Sequence, residues 1–151
     1  MHWVLALLLL ASCQRHSQWQ YTHVRETTSD STRIQYRSKD PVQGIDIEMI
    51  HVDGELTTYL QVHSEPLKTK ESKTLVVIGD TSYYAPCHKG KQRVQLTDVL
   101  QTMLISSLTE GNPITLELSG YRENVDPARF QKVFARIEKK APSILKGIRI
   151  Y

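Results

Sequence analysis

The dipeptide Asp53-Gly54 constrains this chain more than any other feature. Asp-Gly is a favoured two-residue hairpin turn, because both central residues can take positive φ. A turn there fixes the register of its flanks. Ile45 then faces Val62, Ile47 faces Leu60, Met49 faces Thr58 and His51 faces Leu56. The other face holds Asp46 with Gln61, Glu48 with Tyr59 and Ile50 with Thr57. One face is mostly apolar and the other mostly polar, as a half-buried antiparallel pair requires.

The elements that follow can be read from their periods. Thr74-Leu75-Val76-Val77-Ile78 is continuously apolar, the pattern of a central strand covered on both faces. Tyr83–Arg93 reads as a loop from its Pro, Gly and charges, and Val94 and Leu96 as a short strand leading out of it. Thr97 is placed to cap a helix, with Asp98 in its first turn near the positive end of the dipole. Leu100, Met103, Leu104 and Leu108 form one stripe at helical spacing, ended by Gly111 and Pro113. Ile114, Leu116 and Leu118 alternate as a strand. Asp126-Pro127 starts a second helix, with Pro at its first position and Phe130, Val133, Phe134 and Ile137 as its buried stripe. Arg129, Lys132, Arg136, Lys139 and Lys140 lie mainly off that stripe, and Pro142 closes the helix. Ile148 and Ile150 predict a last strand. The order predicts an α+β domain: a largely antiparallel sheet of about five to six strands with two helices on one face.

The N-terminus has a different character. Val4–Ala11 is an uninterrupted apolar run, too short for a membrane span of roughly 20 residues but suited to the core of an export signal. It ends Leu10-Ala11-Ser12-Cys13, which resembles the bacterial lipobox: an aliphatic residue, two small residues, then cysteine. The n-region, Met1-His2-Trp3, departs from the usual signal in having no Lys or Arg. The resemblance implies a lipoprotein. Cys13 would take a diacylglyceryl group on its thiol, cleavage would fall between Ser12 and Cys13, and the new amino group would receive a further acyl chain such as palmitate. Two or more chains anchor stably, at about 0.8 kcal/mol per buried CH₂. By the same resemblance Gln14, in place of an Asp, favours the periplasmic face of an outer membrane. A plain secretory signal is the rival reading, and it would leave Cys13 free to bridge Cys87 in an oxidising compartment.

Residues 14–33 are polar and rich in Ser and Thr in their second half. They read as a flexible tether of about 25 Å end to end, although Trp19, Tyr21 and Val24 would also suit an edge strand. The expected organisation is a signal peptide over 1–12, a lipidated N-terminus and tether over 13–33, and one α+β domain over 34–151.

Composition narrows the function. The chain has 151 residues and a formal charge of +3, too small and scattered an excess for a nucleic-acid partner. Two cysteines cannot build a disulfide framework. No HExxH, paired CxxC, acidic calcium loop or phosphate-binding glycine loop is present, so neither a metal nor another cofactor is expected. His51 and His63 fall on opposite faces of the hairpin and cannot share a metal.

Three places deserve a chemical test. Val76–Ser82 (VVIGDTS) looks like the first block of Gly-Asp-Ser-Leu serine esterases, which would imply a nucleophile after Gly-Asp. Here Thr81 holds that position and Ser82 is shifted by one. The late Asp-x-x-His pair of those enzymes has no counterpart, since His88 is the last histidine. A hydroxyl nucleophile needs a base within hydrogen-bond reach. Cys87-His88 pairs a thiol with an imidazole, but sequence neighbours in a loop rarely point at each other. The basic face of the second helix could touch anionic headgroups, yet Glu138 interrupts it. The expectation is therefore a non-enzymatic, lipid-anchored envelope protein, attached to the membrane through Cys13, whose domain binds another envelope component. The alternative is a secreted or anchored hydrolase using Ser82, Thr81 or Cys87.

Overall fold

A computed structural model of the chain describes residues 18–25, 30–88 and 90–140. Cys13 and Ser12, and the last strand expected around Ile148 and Ile150, lie outside the described residues. Among them run nine strands and two helices: β1 (Trp19–Arg25), β2 (Asp30–Tyr36), β3 (Asp46–Val52), β4 (Glu55–Gln61), β5 (Lys73–Ile78), β6 (Thr81–Pro86), β7 (Arg93–Gln95), α1 (Asp98–Thr109), β8 (Ile114–Leu118), β9 (Tyr121–Val125) and α2 (Phe130–Lys140). The domain is α+β and antiparallel throughout, but its strands form two sheets rather than one. The five-stranded sheet has the order β1-β2-β3-β4-β7, and the four-stranded sheet β6-β5-β8-β9.

The central hairpin has the register that its turn dictates. Ile47 pairs with Leu60, Met49 with Thr58 and His51 with Leu56. Asp53 and Gly54 have φ of 51° and 87°, both positive as a two-residue turn of this kind requires. The inward face carries Ile45, Ile47, Met49, Leu60 and Val62, all buried. The helices cover this core from within: α1 lies against β5 and β8, α2 against β1 and β2, and the helices touch each other. Leu100, Leu104, Ile105 and Leu108 are the buried stripe of α1; Phe130, Phe134 and Ile137 are that of α2.

The structure departs from the sequence reading at β5, which is covered on one face only and leaves Leu75 exposed, and in four further places. Residues 19–25 and 30–36 are strands of the five-stranded sheet, so the folded elements include residues ahead of Ile34. Trp19 explains this: it is buried, its ring meets Tyr36 at 5.0 Å and Phe130 at 4.7 Å, and its indole N–H donates to the Asp126 carbonyl at 2.8 Å. The stretch read as a loop contains β6, an edge strand that tolerates Pro86 because its outer side needs no donor. β9 had no sequence signal. Finally, α2 starts at Phe130, because Asp126 Oδ1 accepts from the Ala128 N–H (2.8 Å) in a turn that precedes the helix.

The sheets meet on two sides. Cys87 forms a bridge to Val94, and the His88 N–H donates to the Arg93 carbonyl at 2.8 Å, joining the end of β6 to the start of β7. On the other side Trp19 and Tyr36 reach across to the β9 segment.

Candidate functional site

The candidate nucleophiles gain no partner from the fold. Thr81 and Ser82 open β6, directly after the Gly79-Asp80 turn, with Ser82 opposite Val77. Cys87 is half-buried beside Val94, and that burial pushes its thiol above the ordinary range, away from the reactive thiolate. His88 faces the Tyr59 ring at 5.4 Å. The histidine hydrogen bonds are His23 to Asp30 and His63 to Asp46, so none among the described residues reaches Thr81, Ser82 or Cys87. Nor do three or more His, Cys, Asp or Glu side chains gather for a metal among the described residues. His51 points inward and is buried, whereas His63 is held by Asp46 (2.9 Å) at the other end of the hairpin. Arg129, in the turn before α2, and Lys132 and Arg136 on the helix are exposed, and Arg136 lies over the Tyr21 ring at 5.2 Å. The side chains of Lys139 and Lys140 lie outside the described residues.

A different place has the makings of a site. Lys70 and Lys73 are bonded across a tight turn: the Lys70 N–H donates to the Lys73 carbonyl (2.8 Å) and the Lys73 N–H to the Lys70 carbonyl (2.9 Å). The turn residues, Glu71 and Ser72, have φ of 52° and 60°, a left-handed conformation that non-glycine residues adopt at a cost. Like charges directly opposite each other on paired strands repel. Lys68 joins them, fixed by its backbone N–H to Ser119 Oγ at 3.1 Å. Its carbonyl takes the Thr74 hydroxyl at 2.9 Å. Beside the lysines, the outer face of β5 and β6 presents Leu75 opposite Tyr84, 42% and 57% exposed. Together these residues line an open groove of about 380 Å³.

No ion pair neutralises these lysines among the described residues. The carboxylates that form pairs engage other partners: Asp30 holds His23, Asp46 holds Arg37 and His63, Glu48 holds Arg33 and Arg93, and Glu117 holds Arg122. The groove therefore combines three lysines, against one lining carboxylate (Glu117, which engages Arg122), with exposed apolar and aromatic surface.

The groove lies by the Ser119–Gly120 end of β9, whereas Trp19 meets the Asp126 end. Trp19 pairs with Tyr36, and the Arg37 N–H donates to the Gln18 carbonyl at 3.0 Å, so the chain enters beside the loop that follows β2. That loop reaches the segment after β4 through Ser64 Oγ, which donates to the Val42 carbonyl at 2.8 Å. The same segment leads to Lys68, and the Leu67 N–H donates to the Lys91 carbonyl at 2.6 Å.

The chain matches no family model, and no curated protein or solved structure is significantly similar to it. Any functional reading must therefore come from the residues themselves. No helix among the described residues is long and apolar enough to cross a membrane. The lysine groove was missed in sequence because Glu71-Ser72 lacks the Gly or Asn that marks a tight turn. The available signal was Lys68-x-Lys70-x-x-Lys73, three lysines just ahead of an apolar strand.

Proposed function

We propose that this chain is a lipid-anchored bacterial envelope protein whose domain acts by binding and not by catalysis. Leu10-Ala11-Ser12-Cys13 supports the anchor. The observation that carries the binding role is the groove with three lysines that form no ion pair among the described residues. Residues 14–18 are all that separate Cys13 from β1, a reach of at most roughly 20 Å even when extended. On this reading the domain stays close to the leaflet that holds the anchor, and Gln14 favours the periplasmic face of an outer membrane. Its partner is then an envelope component within that short reach.

The test is chemical. Wild-type protein expressed in a lipoprotein-processing bacterium should incorporate labelled palmitate and yield a mature N-terminus at modified Cys13. Cys13→Ser should lose the label and retain residues 1–12. An unmodified Cys13 in the mature protein would sink the anchor.

A further inference from the structure

We infer that the Lys68–Lys70–Lys73 groove docks on the anionic surface of a lipid bilayer, with Leu75 and Tyr84 entering the headgroup layer. The inference deepens the binding role proposed above, and rests on it for the place where docking occurs. Its chemistry stands on the groove alone.

Three observations converge. First, the lysines outnumber the one carboxylate that lines the groove, Glu117, and form no ion pair among the described residues. Lys70 and Lys73 oppose each other across a turn with two left-handed residues, and neither has an acidic partner among the described residues. Such an arrangement costs stability in the free protein, and an external anion relieves the repulsion. Second, the groove is open and its lysines are exposed. It cannot enclose a small ion, but it can lie against an extended anionic plane. Third, exposed apolar side chains sit beside the cations. An aliphatic residue and a tyrosine next to lysines match the headgroup boundary, where an amphipathic ring and apolar surface are buried while ammonium groups meet phosphate.

A juxtamembrane lysine contributes about fivefold to partitioning onto an anionic leaflet, so three contribute on the order of a hundredfold. The experiment uses the full chain made by cell-free synthesis, so that Cys13 carries no lipid. It is mixed with vesicles of pure phosphatidylcholine, or of phosphatidylcholine with phosphatidylglycerol, and sedimented at low salt. The apolar run Val4–Ala11 is common to every variant, so only differences count. The parent should partition far more strongly onto the phosphatidylglycerol vesicles. Lys68→Gln/Lys70→Gln/Lys73→Gln should lose most of that excess, on the order of a hundredfold, with its thermal melt retained because all three positions are exposed. Leu75→Ser/Tyr84→Ser should weaken binding to both vesicle types.

Equal sedimentation with both vesicle types, or a triple variant that binds like the parent, would overturn the inference. So would release by inorganic phosphate beyond that by chloride at matched ionic strength, which would make the groove a site for a free phosphate. A loss from Lys132→Gln as large as that from Lys73→Gln would show attraction by overall charge and not by the groove. None of these outcomes depends on lipidation, which the palmitate label at Cys13 decides separately.

Discussion

Tyr36 and Glu123 join the two sheets: the Tyr36 hydroxyl donates to Glu123 Oε1 over 2.8 Å. The other carboxylate oxygen accepts from Ser38 Oγ at 2.5 Å and from the Ile45 N–H at 3.3 Å. Gln18 Nε2 donates in turn to the Tyr36 hydroxyl at 2.9 Å. A β9 carboxylate thus satisfies donors from β2 and from the loop after it. Tyr36→Phe leaves Glu123 short of one donor, and should cost roughly 1–3 kcal/mol in a urea unfolding titration. Burial, and then the Glu123 carboxylate, hold the Tyr36 phenol well above its ordinary ionisation range. The folded state therefore resists ionisation that the unfolded chain accepts. Stability from this source is full below about pH 10 and declines as pH rises beyond it. The phenylalanine variant should show a flatter alkaline limb; an identical limb would mean that Tyr36 does not govern it.

Asp46 should control the acid limb. It is buried, which by itself raises a carboxyl, but the Ser38 N–H, Arg37 and His63 outweigh that burial and hold it below the ordinary carboxylate range. Its stabilisation is present above the unfolded carboxylate range and lost as pH falls through the lowered folded value. Asp46→Asn should be less stable than the parent at neutral pH, with the gap closing in strong acid. A gap that persists unchanged would assign the loss to geometry and not to charge.

The inner face of the five-stranded sheet contains a polar cluster with no hydrogen-bond partner among the described residues: Thr32 Oγ1, His51 Nε2 and Thr58 Oγ1. Thr32 pairs with His51 across β2 and β3. Thr58→Val keeps the shape and removes an unsatisfied hydroxyl, so we expect a gain of about 1 kcal/mol. Burial lowers the His51 imidazole, so the unfolded chain takes up a proton that the folded domain refuses. Stability from this source is full above about pH 6.5 and falls as pH drops below it. His51→Leu should remove that part of the pH dependence, as read from melting temperatures across the range.

A fragment starting at Ile34 should not fold cooperatively. It lacks β1 and with it Trp19, which packs on Tyr36 and Phe130. A fragment starting at Gln18 should melt as sharply as the full chain. Within either, Gly54→Val puts a β-branched residue at φ 87° and should cost 1 kcal/mol or more, at the order of magnitude of left-handed strain.

What could be read in advance follows from how much burial each strand needs. The Asp53-Gly54 hairpin and α1 were legible because their apolar periods are strong and the hairpin carries its turn residues; Thr97 stands at the N-cap of α1, but its hydroxyl makes no capping bond. β1 was read mainly as tether because an edge strand buries little: only Trp19 in it is fully buried. β2 was hidden by Thr32, a polar residue at an inward position. β9 was hidden by Glu123, which lies between inward Tyr121 and Val125 and breaks their alternation in order to meet Tyr36. The groove was illegible as a site because its lysines resemble ordinary solvated charge until a turn without glycine sets two of them face to face.

The position of Trp19 has an optical consequence. The chain has two tryptophans, and Trp3 belongs to the segment expected to be removed on export. In a protein starting at Cys13, every tryptophan photon would come from Trp19, whose ring is sealed against Tyr36 and Phe130 and whose N–H is tied to Asp126 beyond β9. Its emission should be blue and shielded from a soluble quencher, and should shift red as the β1 edge leaves β9. The intrinsic fluorescence of the mature protein would then report the opening of one seam between the sheets, about six residues from the bilayer, without any added label.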